Sequence, residues 1–219
     1  MKLLSYALIF DCDGVLVDSE ALSNRALAET ICGLGWQVSE TECLQRFRGV
    51  AQPEIWRIVE QQVGALPRTL EAEYRRRQYG IFRSAPCRAV PGVHDVIESL
   101  VSKGVPFCVA SNGPPEKMVV TLGVADLLHH FPGRIFSRVD VVRPKPAPDL
   151  FLHAAGVLGV RPTETWVVED SPTGLVAAKA AGMPSIGFTG TGASAHDLLE
   201  AGATLVAGSM PELSQLLCG

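Results

Sequence analysis

No apolar run in this 219-residue chain reaches the roughly 18 residues that a membrane-spanning helix needs. The stretch Met1 to Phe10 is partly apolar, but it runs straight into Asp11 and Asp13 with no small-residue cleavage site, so an export signal is not expected. Basic blocks are missing as well. Lys and Arg total 19 against 23 Asp and Glu, a formal charge of -4, which argues against nucleic acid or an anionic membrane surface as partner. CxxC pairs and metal-type spacings are absent among the six cysteines, Cys12, Cys32, Cys43, Cys87, Cys108 and Cys218. Most of them lie in apolar runs, as reduced, buried thiols of a cytoplasmic protein do. There is no internal repeat and no low-complexity tract, and nothing in the sequence specifies an oligomeric state.

What is present suits a packed core. The chain is 47% hydrophobic, and its length fits one large domain or a domain with a smaller insert. Short apolar runs at 6–10, 106–110, 134–137, 165–168, 184–188 and 204–206 read as strands. They are apolar on both faces, the mark of a parallel sheet covered by helices. Helical patterns at 94–103, 116–122, 148–158, 174–181, 193–201 and 210–217 lie between and after them. Such alternation predicts an α/β fold, a Rossmann-like doubly wound parallel sheet. One segment breaks the rhythm: residues 20–85 hold helical patterns only, and Pro86 to Gly92 reads as a linker back. The expected division is therefore a core of 1–19 and 86–219 with a helical cap of 20–85. Either those helices pad one edge of the sheet or they cover its ligand-binding end. The second reading follows from their departure just after Asp11 and Asp13, because open α/β sheets bind ligands outside the carboxyl ends of their strands.

Four loops after predicted strands carry residues suited to chemistry. The first holds Asp11 and Asp13, the second Ser111-Asn112-Gly113, the third Lys145 between prolines, and the fourth Glu169-Asp170-Ser171-Pro172. Taken singly, each also reads as ordinary structure: a turn, a solvated lysine, or a helix N-cap followed by proline. In a parallel sheet all four fall at one edge, and there their chemistries complement one another. Mg²⁺ takes hard oxygen ligands and could bridge Asp11, Asp170 and a phosphate oxygen. Lys145 adds fixed positive charge, and the Ser111 hydroxyl with nearby backbone N–H groups adds donors. Asp11 then suits a carboxylate nucleophile, and Asp13 a general acid that later serves as base.

These runs carry a resemblance. Phe10-Asp11-Cys12-Asp13-Gly14-Val15-Leu16-Val17-Asp18-Ser19, Ala110-Ser111-Asn112-Gly113, Lys145-Pro146-Ala147-Pro148-Asp149 and Val168-Glu169-Asp170-Ser171-Pro172-Thr173-Gly174 stand in the order of the four motifs of the haloacid dehalogenase superfamily. The chain resembles its phosphohydrolases with a helical cap inserted after the first strand. The resemblance implies Asp11 as nucleophile and Mg²⁺ ligand, and Asp13 as acid/base with its carbonyl on the metal. It implies Ser111 and Lys145 as holders of the transferring phosphoryl group, and Asn112 beside them as phosphate-binding. Asp170 would be a metal ligand and Glu169 a second or water-mediated one.

The same resemblance ranks the reactions. Dehalogenating relatives work without metal and usually lack the second aspartate, whereas Asp13 is present here. Phosphonate-cleaving relatives need a cap lysine, and residues 20–85 contain none. Mutases of the β-phosphoglucomutase kind carry a cap histidine after the first motif. This chain has Leu22-Ser23-Asn24 there and no histidine before His94, which favours water as acceptor. Arg46-Phe47-Arg48-Gly49-Val50 resembles the cap specificity loop of 6-phosphogluconate phosphatase-like members, with Arg48 and Gly49 as substrate-binding candidates. Arg48 reads either as the partner of a sugar-acid carboxylate or as an exposed cap arginine. The expected activity is hydrolysis of a small-molecule phosphate ester, a sugar or sugar-acid phosphate such as 6-phosphogluconate, through an aspartyl-phosphate. A mutase, or a non-catalytic binding protein on the same fold, stands as the alternative.

Overall fold

The computed structural model describes residues 7–47, 50, 52–85 and 87–218. In chain order the elements begin with β1 (Ala7–Phe10), β2 (Val17–Asp18), and the helices α1 (Glu20–Gly33), α2 (Glu40–Phe47), α3 (Gln52–Val63) and α4 (Leu70–Ser84). Then come β3 (Arg88–Ala89), α5 (Val93–Ser102), β4 (Phe107–Ser111), α6 (Pro115–Val124), β5 (Ile135–Ser137), α7 (Asp149–Leu158) and β6 (Thr165–Glu169). The chain closes with α8 (Pro172–Ala180), β7 (Ser185–Phe188), α9 (Ala195–Glu200), β8 (Leu205–Ala207) and α10 (Met210–Cys218). Backbone contacts divide it into two units, one ending at Asp18 and resuming at Arg88, the other Ser19–Cys87.

The first unit is a six-stranded sheet of order β5-β4-β1-β6-β7-β8, parallel at every pairing. Every residue of β1, β4, β6 and β7 is buried, so both sheet faces are covered, as the two-sided apolar runs require. Ile9, Cys108 and Val167 of three adjacent strands pack with Leu150, Phe151 and Ala154 of α7 and with Ala177 and Ala178 of α8. Chain order reverses at β1: the next two sheet strands lie on one side of it and the last three on the other. That reversal opens a crevice at the carboxyl ends, where doubly wound sheets bind ligands.

The second unit is helical. Leu27, Ile31, Cys43, Phe47, Ile55, Trp56, Val59 and Leu70 form its core. Ser39-x-x-Glu42 starts α2 with a capping box: the Ser39 hydroxyl accepts the Glu42 N–H at 3.1 Å, and the Glu42 carboxylate accepts the Ser39 N–H at 2.8 Å. The Trp56 indole N–H donates to Glu71 at 2.9 Å, satisfying the polar end of a buried ring. Among the described residues no helix is long and apolar enough to cross a membrane.

Two features differ from the sequence expectation. Val17–Asp18 and Arg88–Ala89 pair antiparallel, and Val90 donates to the Leu16 carbonyl at 3.0 Å, where a plain linker was expected. Two-residue strands are too short to display a period of two, so nothing in the pattern announces them. In addition, α8 starts at Pro172 rather than Gly174. Proline is preorganised for the first helical turn, and the Ser171 hydroxyl caps that turn by accepting the Gly174 N–H at 3.1 Å.

Candidate active site

The side chains singled out in the first unit meet at the carboxyl edge of the sheet. Asp11 is the first residue beyond β1, Ser111 ends β4, Glu169 ends β6 with Asp170 next, and Lys145 lies in the loop between β5 and α7. Lys145 sets the geometry. Its ammonium donates to Asp11 Oδ1 at 2.8 Å, to Glu169 Oε1 at 2.7 Å and to the Ala110 carbonyl at 2.7 Å. Those three acceptors use all three N–H bonds. The aliphatic and aromatic wall behind it includes the Phe151 ring, 4.5 Å from Nζ. Burial opposes the lysine charge, but Asp11 and Glu169 together outweigh it and push its pKa above the ordinary lysine value. Lys145 thus acts on the site through its charge and through the two carboxylates it holds.

The Asn112 amide turns to the Lys145 backbone. Its carbonyl oxygen accepts the Lys145 N–H at 3.1 Å, and its NH₂ donates to the Lys145 carbonyl at 2.9 Å. The side chain is thus a bracket for the lysine loop. A second bracket holds the same turn: the Ser137 hydroxyl donates to the Gly113 carbonyl at 2.7 Å. Ser111 Oγ accepts the Gly113 N–H at 3.3 Å. A methyl at Gly113 would lie 3.6 Å from Ser111 Oγ and 3.7 Å from Asp13 Oδ2, so hydroxyl and carboxylate flank one small space.

The carboxylates are crowded. Asp11 is raised from 3.8 to about 7, mainly by burial, with Glu169 and Asp13 adding to the rise and Lys145 opposing it. Asp170 is raised to about 8 by burial and by Asp11, Glu169 and Asp13. Asp11, Glu169 and Asp170 each offer an oxygen within 4.8 Å of the others. The donors are all hard oxygens, and among the described residues Lys145 pairs with Asp11 and Glu169 while Lys117 pairs with Asp13. A divalent cation would favour the ionised forms of these crowded carboxylates, and an all-oxygen donor set matches Mg²⁺. Two glycines make room for these groups. A Cβ at Gly14, which sits at φ +79°, would stand 1.9 Å from Asp170 Oδ2, and one at Gly174 would stand 1.8 Å from Glu169 Oε1. Glu169 is fixed at both ends, since its Oε2 accepts the Ser171 N–H at 3.0 Å and O–H at 2.8 Å. The Gly14 carbonyl in turn accepts the Thr191 hydroxyl at 2.8 Å.

Other expectations fall into place or outside. Cys12 is buried, its sulfur 4.0 Å from Thr121 Oγ1, turned toward α6. Arg48 and Gly49 lie outside the described residues. Sequence reasoning missed Lys117, whose ammonium is 2.8 Å from Asp13 Oδ2. One signal was available: a lysine in the first turn of a helix opposes the helix dipole unless a carboxylate meets it.

Comparisons with known proteins point to one family. A model of the haloacid dehalogenase-like hydrolases matches residues 7–182. The 6-phosphogluconate phosphatase of Escherichia coli (strain K12) is 37% identical over 179 residues, 81% of this chain and 79% of that one. A haloacid dehalogenase-like protein of unknown function from Agrobacterium tumefaciens superposes with TM-score 0.80 at 33% identity, covering 96% of each chain. A HAD family hydrolase from Deinococcus radiodurans, solved with bound phosphate and sodium, superposes with TM-score 0.78 at 30% identity, covering 94% of this chain and 92% of that one. With four carboxyl-edge loops on a parallel sheet and a family match over most of its length, the chain belongs to the haloacid dehalogenase-like hydrolases.

Proposed function

We propose that the chain is a phosphatase for a small phosphate monoester, a sugar or sugar-acid phosphate such as 6-phosphogluconate. The observation that carries this reading is the Asp11–Lys145–Glu169 cluster beside Ser111 and Asp13: a nucleophilic carboxylate, its counter-charge and a candidate acid/base on one sheet edge. The likeness to a 6-phosphogluconate phosphatase supports the substrate class.

Asp11 attacks phosphorus, the bond to the ester oxygen breaks with its electron pair, and Asp13 gives that oxygen a proton. Water then attacks the aspartyl-phosphate, Asp13 accepts its proton, and the carboxylate of Asp11 is restored. Asp11 and Asp170 would hold Mg²⁺, with the Asp13 carbonyl. Glu169, fixed by Lys145 and Ser171, suits an indirect role beside them. Bound there, the ion would supply Lewis-acid charge to a phosphoryl oxygen. Lys145 favours the ionised form of Asp11 and aims it, while Ser111 and the turn after it offer donors to the phosphoryl group. Residues 20–85 serve in this reading as a cap, with hinges near Asp18–Ala21 and Cys87–Gly92.

The test is phosphate release from sugar phosphates, sugar acids, polyol phosphates, nucleotides and phosphoglycolate, with and without Mg²⁺, using Asp11→Asn as the blank. Metal-dependent release that falls about 10⁴-fold or more in the variant is expected. Isomerised sugar phosphate without free phosphate would instead establish a mutase. Neither product from any substrate would sink the reading.

A further inference from the structure

Lys117 belongs to no motif of the sequence, yet its ammonium lies 2.8 Å from Asp13 Oδ2, an ion pair across 104 residues of chain. The lysine side chain is 16% exposed and the aspartate 31%, so the pair sits at the mouth of the site rather than on the open surface. The oxygen that Lys117 holds is also the one facing the phosphate-side loop, 3.7 Å from where a methyl on Gly113 would stand.

The aim of Lys117 is built into α6. It is the third residue of the helix, and Thr121, one turn on, lies on the same face. Thr121 is buried, its hydroxyl donates to the Lys117 carbonyl at 3.1 Å, and it meets the Cys12 sulfur, which anchors this face of α6 beside the Asp11–Gly14 turn. A cation this early in a helix works against the helix dipole, so local helix energetics do not account for it; the carboxylate opposite does.

From this geometry we infer that Lys117 is a positioning residue for the acid/base: it holds the Asp13 carboxylate at the edge of the phosphoryl site, where the oxygen of the departing alcohol emerges. The inference rests on the phosphatase reading above. It assigns Lys117 to the part of the reaction that depends on the leaving group. An alkyl alcohol, as in a sugar phosphate, departs poorly without a proton, so a displaced Asp13 slows its release. A nitrophenolate departs without one, and tolerates the displacement.

The experiment compares wild type, Lys117→Met and Lys117→Arg on 6-phosphogluconate, glucose 6-phosphate and 4-nitrophenyl phosphate. For Lys117→Met, kcat on a sugar phosphate should fall about 10- to 100-fold with KM changed less than about threefold, and fall at least tenfold less on the aryl phosphate. Lys117→Arg keeps the charge and should recover most of the loss. Adding Lys117→Met to Asp13→Asn should cost nothing further on the sugar phosphate, because the group it positions is gone. Equal losses on both substrate types, no loss on either, or a full additional loss in the double variant would overturn the inference while leaving the phosphatase reading intact. Wild-type protein inactive on all three substrates would overturn both. Should Lys117→Met fold poorly, Lys117→Gln, which removes the charge and keeps a polar end, carries the same comparison of alkyl and aryl phosphates.

Discussion

Replacing Lys145 with methionine keeps most of the side-chain volume and deletes one charge. The structure sets the magnitude. Lys145 is 3% exposed, and it faces Asp11 at 11% and Glu169 at 1%. Removing one partner of a buried charge pair costs about 3–5 kcal/mol, because the other charge stays behind unpaired. For 150–250 residues each kcal/mol moves Tm by about 2–4 °C, so a fall of roughly 6–20 °C is expected at neutral pH and above. The pH dependence gives the sharper test. Asp11 already stands at about 7 with Lys145 present, and losing the counter-charge lifts it further above its ordinary 3.8. A carboxylate raised in the folded state contributes stability that is complete below its unfolded value and lost as pH rises through the folded one. The deficit of the variant should therefore be largest above pH 7 and shrink toward about pH 5. Thermal melts of both proteins in chelated buffer, from about pH 5 to pH 9, measure this directly. A Tm change under about 2 °C at pH 8, or a deficit that grows toward acid, would refute the reasoning.

Other predictions concern the same cluster. In metal-free wild type, Asp11 and Asp170, raised from 3.8 to about 7 and about 8, make stability fall as pH rises from their ordinary value toward those raised ones. Added Mg²⁺ should raise Tm more at about pH 8.5 than at about pH 6, and an equal gain at both would count against a carboxylate-held ion. Gly174→Ala drives a methyl to 1.8 Å of Glu169 Oε1, so it should cost about 1–3 kcal/mol and lower kcat by loosening the Lys145 network; melts and steady-state rates check both. Asn112→Ala strips the Lys145 N–H and carbonyl of their side-chain partner, at about 1–3 kcal/mol, and should lower kcat more than it raises KM. Unchanged kinetics in that variant would show that the bracket is not needed to aim the lysine.

Much of the fold was legible because its signals are local. Runs such as Leu8-Ile9-Phe10 and Trp166-Val167-Val168 are apolar on both faces, and helical periods separate them, so a covered parallel sheet follows from chain order. The loops bearing Asp11, Ser111, Lys145 and Asp170 then share an edge as a matter of topology. What topology leaves out is direction. It brings Asn112 to the edge but does not say that both ends of its amide turn to the Lys145 backbone. It brings Glu169 there without showing that Ser171 and Lys145 take its two oxygens. Lys117 was hidden for the same reason: a helical period reveals a face, and the partner on that face lies 104 residues away. The β2–β3 ribbon escaped because its pairing depends on Leu16 and Val90 meeting across the whole insert.

The place of β1 in the sheet has a consequence for how the protein is made. The strand that leads into Asp11 precedes the other strands of the sheet in the chain, yet it lies in the middle, between β4 and β6. Its first neighbour begins at Phe107 and its second at Thr165. On the ribosome, the helices of Ser19–Cys87 can find their core among near neighbours, while Leu8, Ile9 and Phe10 wait with both hydrogen-bonding edges bare. Lys145 emerges 134 residues after Asp11, so this carboxylate is translated long before the ammonium that pairs with it. Long-range parallel pairing of this kind is slow, and the half-made chain carries an exposed apolar strand throughout. Shielding of β1 until β6 arrives, by a chaperone or by slow translation, would govern the yield of folded protein more than the stability of the finished sheet.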